Sequence, residues 1–189
     1  MFYSIIKFLV GVFLRIFYKV RVVGIENVPV SGKLVICSNH ASNWDPLFIS
    51  IVFPRQISWM AKKELFKNRI LSSILYKLGA FPVDRGDTDI TAIKNALKVL
   101  KSDKVLGIFP EGTRVKGFDL NNAKPGVALL TVKSNATVLP IHISSNYRLF
   151  NKIKVNIGEP ITFSSEDVQA KDYTKISQQI LYSIYDLKE

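Results

Sequence analysis

The order of apolar and polar positions along the chain changes character near residue 22. Residues 1 to 20, MFYSIIKFLVGVFLRIFYKV, repeat with a helical period. At 100° per residue Ser4, Lys7, Gly11, Arg15 and Lys19 fall on one side, while Phe2, Ile5, Ile6, Leu9, Val10, Phe13, Ile16 and Phe17 cover the rest. A spanning helix needs about 20 apolar residues with few charges, and the longest uncharged run here is only Phe8 to Leu14. The pattern therefore predicts an amphipathic helix lying in a membrane interface. The alternative is a helix packed on its own domain.

Beyond that point short apolar runs alternate with helical repeats. Leu34 to Cys37, Val105 to Phe109, Thr137 to Ile143 and Lys152 to Ile157 read as buried strands. Between them, Glu64 to Leu78 and Asp89 to Lys101 carry their apolar residues at helical spacing, and a last helix covers Tyr173 to Leu187. Strands separated by helices of this length imply an α/β fold, a mixed and largely parallel sheet flanked by helices. The expected division is a membrane-associating helix over 1–21 and one catalytic-sized domain over 22–189.

Composition sharpens this. The 189 residues carry 26 Lys+Arg against 15 Asp+Glu, a formal charge of +11, with 48% hydrophobic residues. That is too apolar for disorder, and grease combined with positive charge points to an anionic lipid surface. Lys7, Arg15, Lys19 and Arg21 all precede the first acid, Glu26. Nucleic acid is the competing anionic partner, but none is expected, since no recognition motif is present and the basic residues are scattered. One cysteine and two histidines exclude a disulfide and the usual zinc sites, so no metal is expected, in a reducing compartment. No secretory cleavage pattern follows the N-terminal stretch.

The nucleotide and hydrolase signatures G-x-x-x-x-G-K-[ST], G-x-G-x-x-G and G-x-S-x-G are all missing. Ser38-Asn39-His40-Ala41-Ser42-Asn43-Trp44-Asp45-Pro46 instead fills the turn after a predicted strand. Five residues after His40, the Asp45 carboxylate can hold one imidazole nitrogen and leave the other for a substrate hydroxyl. The run Phe109-Pro110-Glu111-Gly112-Thr113-Arg114 ends another strand, and Arg85 follows a third short one, Phe81 to Val83. Two arginines beside a His/Asp pair suit a phosphorylated acceptor. Cys37 lies inside an apolar run and reads as core rather than nucleophile. His142 reads as a strand histidine, and Trp44 and Trp59 as packing residues.

Asn39-His40-x-x-x-x-Asp45, Phe81-Pro82-Val83-x-Arg85, Phe109 to Arg114 and Val138-Leu139-Pro140-Ile141 together resemble the four ordered motifs of the glycerolipid acyltransferases, from about Gly24 to Pro160. The resemblance implies that His40 is a general base oriented by Asp45. It implies that Glu111, Gly112, Thr113 and Arg114 bind the acceptor, with Arg85 and Lys62 as further phosphate contacts and Pro140 on the acyl-donor side. The implied reaction is attack of the sn-2 hydroxyl of lysophosphatidate on a thioester of coenzyme A or acyl carrier protein, with no cofactor. Another lysolipid or glycerol 3-phosphate as acceptor, or a non-catalytic lipid-binding protein, is the alternative. The implied location is the cytoplasmic face of the cell membrane, as a peripheral or monotopic protein.

Overall fold

In the structure, a computed structural model that describes residues 2–84, 89–163 and 172–188, the uniformly apolar run after Lys33 becomes the central strand β2 (Leu34–Ser38), buried at every position. Both faces of β2 are covered. Leu34 and Ile36 pack on one side of the sheet, and Val35 and Cys37 on the other, so no polar alternation survives in the sequence. The remaining strands are β1 (Lys19–Val23), β3 (Ile57–Lys62), β4 (Phe81–Val83), β5 (Val105–Ile108), β6 (Thr137–Ser144) and β7 (Lys152–Ile157). They form one sheet of order β1-β7-β6-β2-β5-β3-β4. Every neighbouring pair is parallel except β6 and β7. Pro82 is tolerated because β4 is an edge strand, where a missing N–H breaks no inner ladder.

Helices α1 (Phe2–Phe17), α2 (Asp45–Val52) and α3 (Arg69–Lys77) accompany one face. Helices α4 (Ile90–Lys101), α5 (Gly126–Ser134) and α6 (Tyr173–Asp186) cover the other. Asp89 caps α4 by accepting from the Ala92 N–H. The expected 1–21 segment is shorter as a helix, because Lys19–Val23 extends and pairs with β7 as a sheet edge. The expected helix over 64–78 also breaks. Lys63–Phe66 is one 3₁₀ turn, and α3 starts anew at Asn68, whose side chain accepts from the Ile70 and Leu71 N–H groups. None of α3 is buried, and Ile70, Leu71 and Ile74 face outward.

α1 is packed on the domain and exposes grease at the same time. Its buried positions are Gly11 and Leu14, and the Lys7 ammonium on that side donates to the Phe53 carbonyl. Gly11 lies against Ile51 of α2. Outward go Phe2, Ile5, Phe8, Leu9, Val12, Phe13 and Ile16, with Phe8 68% and Ile16 63% exposed. No helix among the described residues is long and apolar enough to cross a membrane.

Candidate active site

Strands β2, β5 and β6 run parallel side by side, so the loops leaving them meet at one edge of the sheet, where α/β proteins place their sites. The turn after β2 folds around one carboxylate. Asp45 opens α2, and its Oδ2 accepts from the Ala41 and Ser42 backbone N–H groups, both at 2.8 Å, and from His40 Nδ1 at 2.9 Å. The Tyr147 hydroxyl donates to the other oxygen, Oδ1. Asp45 is fully buried and His40 is 5% exposed. A carboxylate only accepts, so Nδ1 carries a proton, and in the neutral ring Nε2 presents its lone pair.

The imidazole plane is fixed by stacking. The His40 ring lies on Phe109 with centroids 3.9 Å apart and planes 13° apart, and Phe109 lies on Trp59 at 5.1 Å with the same tilt. Trp59 in turn donates its indole N–H to Ser50 of α2 at 2.9 Å. Gly107 makes the stack possible, since a Cβ there would stand 2.5 Å from the Trp59 ring. Asn39 clasps the neighbouring strand, accepting from the Ile143 N–H at 2.8 Å and donating to its carbonyl at 2.9 Å.

The structure places Glu111, expected at the acceptor, inside the protein. It is 1% exposed, and both oxygens are committed to the protein. Oε2 accepts from the His40 backbone N–H at 3.0 Å, and Oε1 accepts from the Tyr185 hydroxyl of α6 at 2.7 Å. Burial pushes its pKa upward, opposed by those two bonds. The carboxylate thereby ties the His40 turn to α6. A second link, from the Val115 N–H to the His40 carbonyl at 2.9 Å, joins the same two loops. Gly112 turns the loop in the left-handed region, φ 68°, where a side chain is strained. Beyond it Thr113 and Arg114 are exposed on the same loop.

The other expected contacts lie on separate elements. Lys62 ends β3, exposed, 3.5 Å from Glu64. Pro140 is buried in β6 opposite Cys37. Arg85 lies outside the described residues. Trp44 does not pack beneath the site: it precedes α2 and is 44% exposed. Trp59 does pack there. Cys37 is buried, with its thiol pushed far above the usual range by desolvation, and His142 is buried at 3% exposure. Among the described residues no cluster could hold a metal. Sequence reading missed Tyr147 and Tyr185 as parts of this site, and the clasp of Asn39 on Ile143, because no local motif ties these residues to partners 74 to 104 residues away.

A family model described as Acyltransferase matches residues 19–144. A 1-acyl-sn-glycerol-3-phosphate acyltransferase of Bacillus subtilis (strain 168) is 37% identical over 148 residues, covering 75% of this chain and 73% of that protein. A protein of the same name from Streptococcus pneumoniae is 34% identical over 137 residues, covering 69% of this chain and 50% of that one. The crystal structure of the 1-acyl-sn-glycerophosphate acyltransferase PlsC from Thermotoga maritima aligns with a TM-score of 0.66 at 27% identity, covering 88% of this chain and 72% of that one.

Proposed function

The chain belongs to the acyltransferase family, and on that premise we propose that it acylates the sn-2 hydroxyl of 1-acylglycerol 3-phosphate from an acyl thioester, giving phosphatidate. The observation that carries the reading is the buried Asp45–His40 pair at the end of β2, with Nε2 left for a substrate proton. As the acceptor oxygen attacks the thioester carbonyl, Nε2 takes its proton, and Asp45 stabilises the imidazolium. The tetrahedral adduct then breaks its C–S bond and expels the thiolate, which takes the acceptor's former proton from His40 and leaves as the thiol. A thioester is reactive enough for this without an enzyme nucleophile, and the chemistry calls for no metal or cofactor.

Arg114, exposed beyond the left-handed turn at Gly112, offers a planar donor fork for the acceptor phosphate. Thr113 stands beside it, and Lys62 and Arg85 are additional cations for the same group. Glu111 acts through the backbone of His40. α1 lays its outward Phe8, Leu9, Phe13 and Ile16 in the acyl boundary of the cytoplasmic leaflet, with Arg15 and the overall +11 charge among anionic headgroups. Acceptor and product are both membrane amphiphiles, so a monotopic seat brings enzyme and substrate into one plane.

The test is transfer of labelled acyl groups from acyl-CoA and from acyl carrier protein to lysophosphatidate in mixed micelles, with wild type beside His40→Ala. Phosphatidate from wild type, reduced by about 10² to 10⁴ in His40→Ala, supports the reading. Equal product from both overturns the base assignment. Product only from glycerol 3-phosphate or another lysolipid moves the acceptor.

A further inference from the structure

We infer that Tyr147 is a positioning residue for the catalytic pair: its hydroxyl donates to Asp45 Oδ1, aims Oδ2 at His40, and sets how strongly the imidazole holds its proton. The inference deepens the acyl-transfer reading and rests on it for the catalytic consequence alone.

The two carboxylate oxygens of Asp45 divide their work. Oδ2 serves His40 Nδ1 and the Ala41 and Ser42 N–H groups, all local to the turn. Oδ1 points away from that turn, toward the segment after β6, where Tyr147 donates to it. Without that donor a fully buried oxygen of a charged group would lack a partner, and rotation of the carboxylate would be opposed from one side only. Burial, and after it the negative charge of Asp45, push the phenol pKa far above its usual range. Tyr147 therefore remains a donor at every working pH.

The seat of Tyr147 is determined from several directions. Its backbone is left-handed, φ 54°, a conformation that side chains other than glycine rarely adopt. Its N–H donates to Ser145 Oγ at 2.9 Å, and its carbonyl accepts from the Tyr18 hydroxyl at 3.4 Å. The ring packs beside Phe48 of α2, with centroids 6.3 Å apart. Three bonds thus bring residues 145–151 to the start of the sheet's first strand and the end of α1: the Tyr18 bond, Phe150 N–H to Phe17 carbonyl at 2.6 Å, and Lys19 N–H to Asn151 carbonyl at 3.1 Å. A strained backbone held by so many contacts serves to aim one side chain.

The sign of the effect follows from charge. The groups facing the His40–Asp45 pair are Tyr147 from the segment after β6, Glu111 from the loop after β5, and, through Glu111, Tyr185 of α6. Tyr147 draws negative charge toward Oδ1. Removing its hydroxyl concentrates that charge on Oδ2, where it holds the imidazolium more tightly. A more basic His40 stays protonated to higher pH and is a poorer base at neutral pH.

The test is an NMR titration of the imidazole rings in the full chain. Only two histidines exist, and His40→Ala identifies the signal. Tyr147→Phe, which keeps the ring, is expected to raise the His40 titration point. Incorporating 3-fluorotyrosine at position 147, a more acidic phenol of the same shape, is expected to lower it, and this arm stands even if Tyr147→Phe fails to fold. In turnover, Tyr147→Phe is expected to lower kcat about tenfold, the low end for losing one bond to a charged group, with KM for the acceptor unchanged and the rising limb of the pH–rate profile moved upward. A His40 titration point that is unmoved, or that moves in the opposite directions, overturns the inference. Because the titration needs no turnover, absence of phosphatidate from wild type refutes the acyl-transfer reading while leaving the Tyr147 result decided.

Discussion

Replacing Glu111 distinguishes a brace from a substrate contact. Its carboxylate is 1% exposed and accepts from the His40 N–H at 3.0 Å and the Tyr185 hydroxyl at 2.7 Å. In Glu111→Gln the amide oxygen can still accept from His40, while its NH₂ faces Tyr185, whose hydroxyl must turn and accept. Two charge-assisted bonds become neutral ones, at a cost of about 1 kcal/mol each. Part of this is recovered, because an amide escapes the desolvation that raises the carboxyl pKa, leaving about 1–2 kcal/mol. For a chain of this length that lowers Tm by about 2–8 °C. Glu111→Ala leaves the buried His40 N–H unpaired at about 1–3 kcal/mol and strips the part-buried Tyr185 hydroxyl of its partner, before any cavity term. Thermal melts beside steady-state kinetics in mixed micelles read the result: Tm and kcat fall together, more in Ala than in Gln, while KM for lysophosphatidate stays within about twofold. A raised acceptor KM at unchanged Tm would refute the brace and put Glu111 on the acceptor.

Arg114→Ala, altering an exposed side chain, is expected to leave Tm unchanged and to raise KM for the phosphorylated acceptor by roughly tenfold or more, the loss of one charge-assisted contact; unchanged kinetics would remove Arg114 from the phosphate. Burial, helped by Lys188 and Lys154, depresses the His142 pKa from its ordinary 6.5 to about 4. Between those values the unfolded chain binds the proton and the folded chain does not, so stability rises with pH across the window. His142→Gln is expected to flatten that part of the curve in urea melts at stepped pH, and an identical slope in both proteins would contradict it. Phe8, 68% exposed on the outer face of α1, is expected on conversion to Asp to weaken flotation with anionic vesicles by about tenfold or more, from the lost apolar transfer energy alone, with the melting curve unchanged; undiminished flotation would place the membrane contact elsewhere.

Local pattern settled what depends on near neighbours. The runs at Leu34 and Val105 read as strands because each is apolar on both faces, and both are buried inside the sheet. α4 begins where Asp89 can cap it. The pairing of His40 with Asp45 was legible from five residues of spacing, since one turn of chain brings the carboxylate back to the ring. β1, β3 and α5 went unread, β1 hidden in the end of an apolar helical repeat and α5 carrying apolar residues all round.

Only the tertiary structure decided what crosses the sheet. Whether Glu111 looks at substrate or at protein depends on β5 lying beside β2 and on α6 closing over both, and the sequence places these elements without ordering them. Tyr147 meets Asp45 across 102 residues because β6 is the other neighbour of β2. An amphipathic period likewise defines two faces of α1 without saying which one docks. Gly11, small enough to sit against Ile51, Lys7, whose ammonium reaches the Phe53 carbonyl, and Leu14 form the docked side, while Ser4, Arg15 and the aromatic and aliphatic face stay outside. A one-dimensional pattern records what each residue is, whereas the partner it finds is fixed by strand order and helix docking, which long-range burial selects.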